Sequence, residues 1–184
     1  MEIAFKHNDP VKPDPIYIEQ VFAEKPGGGL VENPSFDVPP TTAVAVKDDG
    51  KFAVIKSFRL VAAVAAGDTE ISIAKGSGIV VGDIIGTGKL GVASTGIDES
   101  AEDKDVVTVT LGIELPAGKV LYQAKEASAS AAEPLLPPVY VTGNWLKANE
   151  GNQAVRLING ANLRKETANI SEEIEALLPT IKLV

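Results

Sequence analysis

Short apolar runs alternate with Gly, Asp and Pro along most of this chain, and a helical period is sustained in only one place. Ala43-Val44-Ala45-Val46 and Phe52-Ala53-Val54-Ile55 flank Asp48-Asp49-Gly50. That pattern predicts a β-hairpin within residues 41–59, because an Asp-Gly pair supplies the positive φ of a tight connection. The spaced oxygen ligands of a calcium loop are missing around Asp48 and Asp49, so a turn is the expectation there. Further strand-like segments fall at Arg59–Ala63, Glu70–Ala74, Asp83–Ile85, Gly91–Ile97, Val106–Leu111 and Lys119–Gln123. Short strands at this spacing predict a small barrel or sandwich over residues 60–125. Both faces of Val106–Leu111 are partly apolar, which marks a central strand. Residues 126–132 belong to the small-residue run AKEASASAA and read as a linker.

The helical period lies near the C-terminus. Ile170, Ile174, Leu177 and Leu178 fall on one face, with Asn169 or Ser171 able to cap and Pro179 to stop the helix. Around this helix, Val155–Leu163 predicts a strand, a turn at Asn159-Gly160 and a second short strand, and Ile181–Val184 predicts a closing strand. So short a helix must dock on a sheet, since isolated helices need roughly 12–15 residues. Residues 1–40 are a different material. Seven prolines from Pro10 to Pro40 and Gly27-Gly28-Gly29 block helix and central strand, which predicts an extended arm. Its one apolar patch, Ile16, Tyr17, Ile18, Val21 and Phe22, can form a lone strand that needs a sheet edge from elsewhere.

Charge and composition narrow the function. A net charge of −8 and no basic stripe argue against nucleic-acid and anionic-membrane surfaces. With no cysteine there is no disulfide and no thiolate chemistry. No apolar run approaches the ~18 residues that span a bilayer, and MEIAFKHNDPVKPDP lacks the apolar region of a secretion signal. Gly86-Thr87-Gly88-Lys89-Leu90-Gly91 matches G-x-G-x-x-G, but the following Val92–Ile97 reads as strand and turn, so these are expected to be hairpin glycines. His7, the only histidine, lies in the proline-rich segment, where nothing rigid can orient it as a base. Asp98, Glu99, Glu102, Asp103 and Asp105 read as a solvated acidic loop. No enzyme, metal site or cofactor is expected.

With those residues in view, the chain resembles the head decoration and head-fibre proteins of tailed phages. Val155–Leu163, the Ser171–Leu178 helix and Ile181–Val184 are similar to the end of the phage lambda capsid decoration family. Thr42–Val46 through Asp49-Gly50-Lys51-Phe52 resembles the earlier hairpin of that family. Val81-Gly82-Asp83-Ile84-Ile85 and Leu115-Pro116-Ala117-Gly118-Lys119-Val120-Leu121 resemble a module of phage head-fibre proteins. The resemblance implies a mainly β protein with one short C-terminal helix. A decoration-like domain (residues 41–59 and 133–184) would carry an inserted small barrel or sandwich (60–125) and follow an N-terminal arm. It further implies a homotrimer made in the bacterial host cytoplasm and seated on the outside of the virion capsid, with the major capsid protein as partner. Ile16, Tyr17, Ile18, Val21 and Phe22 would make the contact by strand addition. The alternative is a surface carbohydrate- or receptor-binding module in residues 60–125, where Tyr122 is the one aromatic platform. Trp145 is expected to fill a core rather than line a trimer interface.

Overall fold

The computed structural model describes residues 15–184, so His7, Pro10 and Pro13 lie outside the described residues. The protein is mainly β with one short C-terminal helix. Its first strands are β1 (Ile18–Glu24), β2 (Gly29–Val31), β3 (Ala43–Val46) and β4 (Phe52–Val54). There follow β5 (Ser57–Arg59), β6 (Glu70–Ala74), β7 (Ile84–Gly86), β8 (Gly91–Ala93), β9 (Gly96–Asp98), β10 (Lys104–Thr108) and β11 (Val120–Ala124). The C-terminal part adds β12 (Tyr140–Thr142), β13 (Gln153–Val155), β14 (Leu157–Leu163), helix α1 (Glu172–Leu177) and β15 (Ile181–Leu183).

The largest sheet runs β1-β14-β12-β3-β4-β2-β13, with β15 added in parallel to β14. One core, including Ala43, Val141, Ile158 and Leu163, lies under α1, and a second, including Val38, Val44, Phe52 and Leu157, lies on the other side. Two smaller sheets, β5-β11-β7-β8 and β6-β10-β9, enclose a third core of Phe58, Ile71, Ile73, Ile85, Val107 and Leu121. This is a small sandwich, and β10 is its central strand in the second sheet. The apolar run 91–97 is divided at the buried Ser94, so β8 and β9 belong to different sheets. Ser57–Arg59 pairs with β11 instead of extending the first hairpin.

Strand β11 joins the units. Leu121 points into the sandwich core, while Tyr122 and Ala124 belong to the core under α1. The segment expected as a linker is held down here. The Tyr122 hydroxyl donates to the Ala132 carbonyl at 2.6 Å, Ser128 bridges Gly91, and Lys125 N–H donates to Glu133. Small residues in that run let the chain lie close on the sheet. The Gly86 position shows the same constraint, because a Cβ there would sit 2.6 Å from the Tyr122 ring. Gly86 pairs with Gly91 across the β7–β8 hairpin, and no helix follows the glycine loop.

Two expectations near the ends are corrected. Asn159-Gly160 makes no turn and lies within the continuous strand β14. The glycine serves close approach, since its Cβ would come 3.1 Å from the Ala23 Cβ, beside a register shift between Ala23 and Glu24. The N-terminal strand finds its edge within the chain: β1 pairs antiparallel with β14, from Ile18 opposite Leu163 to Glu24 opposite Ile158. With β2 in the sheet and Val38 bridged to Leu146, residues 18–40 are part of the fold instead of a free arm. Proline-rich sequence forbids helix, but it does not forbid edge strands and extended crossings.

Helix α1 is capped by Ser171, whose Oγ accepts from the Ile174 N–H at 3.1 Å. Ile170, Ile174 and Leu178 are buried as expected, whereas Leu177 is exposed on a groove of about 850 Å³ beside Leu135, Leu136 and Pro137. Glu172, in the first turn, bonds Lys165 and Lys119, and these cations hold its carboxyl down at about 2. A folded-state value below the ordinary 4.5 means stability present above that value and lost as pH falls towards about 2. The group is half exposed, so screening keeps the effect below about 1 kcal/mol. Glu172→Gln is expected to lower urea stability by that amount at pH 6, and the gap should close near pH 2. Gly160→Val should push β1 off β14, read as faster hydrogen exchange across residues 18–24 while β10 and β11 stay protected.

Candidate functional site

The five apolar residues singled out near the N-terminus separate by face. Ile18 and Val21 pack on the core under α1, while Phe22 (57% exposed) and Ile16 (52%) face outward. Strand β1 is the outermost strand of its sheet, so its far edge is unpaired among the described residues. Arg156–Glu24 and Arg164–Glu19 ion pairs tie it to the strand behind.

Tyr17 takes a third path. Its ring meets Trp145 edge to face, with centroids 6.1 Å apart, and Trp145 is 43% exposed instead of filling a core. Lys147 Nζ lies 5.8 Å from the Trp145 ring centroid and bonds Asp37 at 2.9 Å. Tyr17, Trp145 and Phe36 come from three separate segments and line one cleft of about 210 Å³. Sequence spacing gave no sign of this meeting; only the pairing of β1 with β14 brings Tyr17 there. Tyr122, the aromatic expected as a platform, is 1% exposed, and burial pushes its hydroxyl above the ordinary range.

Polar and charged groups also line the cleft. Arg59, at the end of β5, donates to the Gly118 carbonyl at 3.0 Å and to the Ala168 carbonyl. Burial lowers its pKa from the ordinary value, opposed electrostatically by Tyr17 and Glu166. Lys75 Nζ approaches the buried Asp105 Oδ1 at 2.8 Å, an ion pair without hydrogen-bond geometry, and also donates to the Glu99 carbonyl. The acidic run is thereby partly internal. Among the described residues no group of three His, Cys, Asp or Glu side chains is gathered as a metal site.

Under the cleft lies a buried polar knot. Asn169 N–H donates to Thr41 Oγ1 at 2.7 Å and its Nδ2 donates to Thr42 Oγ1 at 3.0 Å. Thr42 N–H in turn donates to Thr142 Oγ1, and both Thr42 and Thr142 hydroxyls donate to the Pro39 carbonyl. Thr41 is fully buried at φ 67°, a left-handed conformation that costs a β-branched residue on the order of 1–3 kcal/mol. The knot compensates by giving buried donors their acceptors, and it orients Asn169 at the cleft floor.

No protein-family model, curated protein or solved structure matches the chain.

If Thr41 stores strain, the two truncations will differ. Thr41→Ala keeps the strained φ and orphans the Asn169 amide, which should cost about 1–3 kcal/mol. Thr41→Gly loses the same bond but relieves the backbone, so it should be about 1 kcal/mol more stable than the alanine variant. Chemical denaturation of both variants measures the difference, and equal midpoints would remove the strain argument.

Proposed function

We propose that this chain is a structural protein of a tailed-phage head that binds the outside of the capsid, as a decoration protein or the base of a head fibre. The observation that carries the reading is strand β1: seven residues long, unpaired on its outer edge among the described residues, and mostly exposed. An open edge of that length is a template for strand addition and is commonly covered in a working assembly. Ile16 and Phe22 stand beside it as apolar contacts for the major capsid protein or for a neighbouring subunit of a homotrimer. The resemblance of Val155–Leu163, the Ser171-capped helix and Ile181–Val184 to the lambda decoration family supports the same reading. A stabilising protein needs no catalytic centre; it needs a stiff β framework and an edge that takes up a partner.

The test is whether the chain travels with particles. Virions from a producing culture are purified on a density gradient and probed with antibody against the chain. Co-migration with heads is the expected result. Recovery only in the soluble fraction, away from particles, would sink the proposal. Phe22→Asp together with Ile16→Asp should leave stability within about 0.5 kcal/mol, because both side chains face solvent. The same pair should reduce occupancy on the heads. Light scattering is expected to give three times the 19.2 kDa chain mass.

A further inference from the structure

The cleft beside Trp145 carries an electrostatic imbalance that the capsid reading does not use. Arg156 and Arg164 each hold a glutamate on the surface. Arg59 is half-buried and has no carboxylate within ion-pair distance among the described residues; Tyr17 and Glu166 act on it only electrostatically. A half-buried guanidinium bonded to two neutral carbonyls has no carboxylate paired with it, whereas charges withdrawn from water are ordinarily paired. The neighbouring lysines are already paired, Lys75 with Asp105 and Lys147 with Asp37. The cleft therefore presents a fixed planar cation beside aromatic rings.

We propose that this cleft binds an acidic pyranose, a sugar ring bearing a carboxylate. The guanidinium of Arg59, anchored at Gly118 and Ala168, offers its remaining N–H groups to the carboxylate in the two-pronged geometry that arginine favours. Trp145, 43% exposed with the Tyr17 ring edge-on beside it, offers aromatic surface to the C–H face of the ring. Asn169, Ser77 and Thr167 lie within reach as partners for ring hydroxyls. This mixture of aromatic wall, cation and small polar groups suits a sugar acid better than a purely aromatic acid, which has no hydroxyls for the polar side. The volume of about 210 Å³ is below the roughly 300–1,000 Å³ of drug-sized sites, so one ring unit is taken. The site stands whether or not the chain rides on a capsid. On a particle it would let the coat hold acidic surface polysaccharide.

Trp145 is the only tryptophan, which makes its fluorescence a direct reporter of the cleft. Full-length protein is titrated with methyl glucuronoside, methyl glucoside and acetate under the same buffer and salt. The expected result is a saturable change with the glucuronoside in the millimolar range, at least about tenfold weaker binding of the glucoside, and no change with acetate. Added salt should weaken the glucuronoside, as a charge pair requires. Arg59→Gln should bring the two sugars to equal affinity, and Trp145→Ala, followed by saturation-transfer NMR, should abolish the glucuronoside signal. No saturable change with the glucuronoside, equal binding of the two sugars by the unaltered chain, or an equal response to acetate would each overturn the proposal. The comparison of ligands on the unaltered chain decides the matter even if Arg59→Gln fails to fold.

Discussion

The backbone ladder along β14 is the interaction on which the rest of the molecule depends. One side of this strand takes β1 over most of its length; the other side is shared end to end by β12, antiparallel, and β15, parallel. The first described strand, the strand after the sandwich and the last strand therefore meet on one template. Ile158, Ala161 and Leu163 are fully buried there, so both the hydrogen bonds and the side chains of β14 are committed. These contacts are distant in sequence: Glu19 and Arg164, which pair across β1 and β14, lie 145 residues apart. Loop-closure entropy has to be met before such pairing returns any energy, which makes slow, late assembly of this sheet the physical expectation.

A second constraint follows from β11. One strand supplies Leu121 to the sandwich and Tyr122 to the core under α1, so the middle segment shares a wall with the first sheet. The Tyr122 hydroxyl then fastens the Ala132 carbonyl and accepts from Gly88, closing the seam with bonds instead of leaving a hinge. Near this seam, on the side where β5 leaves the first sheet, Arg59 is trapped between Gly118 and Ala168. The aromatic cleft is thus a product of how two β units are welded together, and its floor is stiffened by the threonine and asparagine knot. Rigid, desolvated polar groups of this sort are well suited to binding because little ordering is left to do.

The outer edge of β1, unpaired among the described residues, and the cleft share Tyr17's neighbourhood and divide the apolar N-terminal patch between them. Inward residues hold the strand to the fold, Tyr17 turns to Trp145, and Phe22 stays outside. A strand attached mainly by its backbone ladder, two half-exposed ion pairs and two partly buried aliphatic side chains is weakly fastened for its length. That economy is compatible with a surface that gains a partner on assembly.

Local chemistry was readable without coordinates. The Asp-Gly hairpin of β3 and β4, the central position of β10, the Ser171 cap and the burial of Ile170 and Ile174 all follow from interactions within a few residues, which sequence displays directly. The hairpin nature of the glycine loop is of the same kind. Asn159-Gly160 misled because a turn dipeptide and a close-approach glycine look alike in sequence; the presence of Ala23 against Gly160 decides between them. The linker and the free arm misled because small or proline-rich residues predict no regular element, yet they pack wherever a neighbouring sheet needs thin chain. The sequence by itself determined a β-rich chain, its Asp-Gly hairpin turn and its capped helix, since each depends on local dihedral preference and hydrophobic period. Only the tertiary structure decided that β1 lies on β14, that Trp145 stands at the surface beside Tyr17, and that Arg59 is half-buried with no carboxylate paired to it among the described residues. Those facts depend on contacts between residues far apart in the chain, from 59 positions for Arg59 and Gly118 to 145 for Glu19 and Arg164, and no local pattern encodes which distant partner a strand will choose.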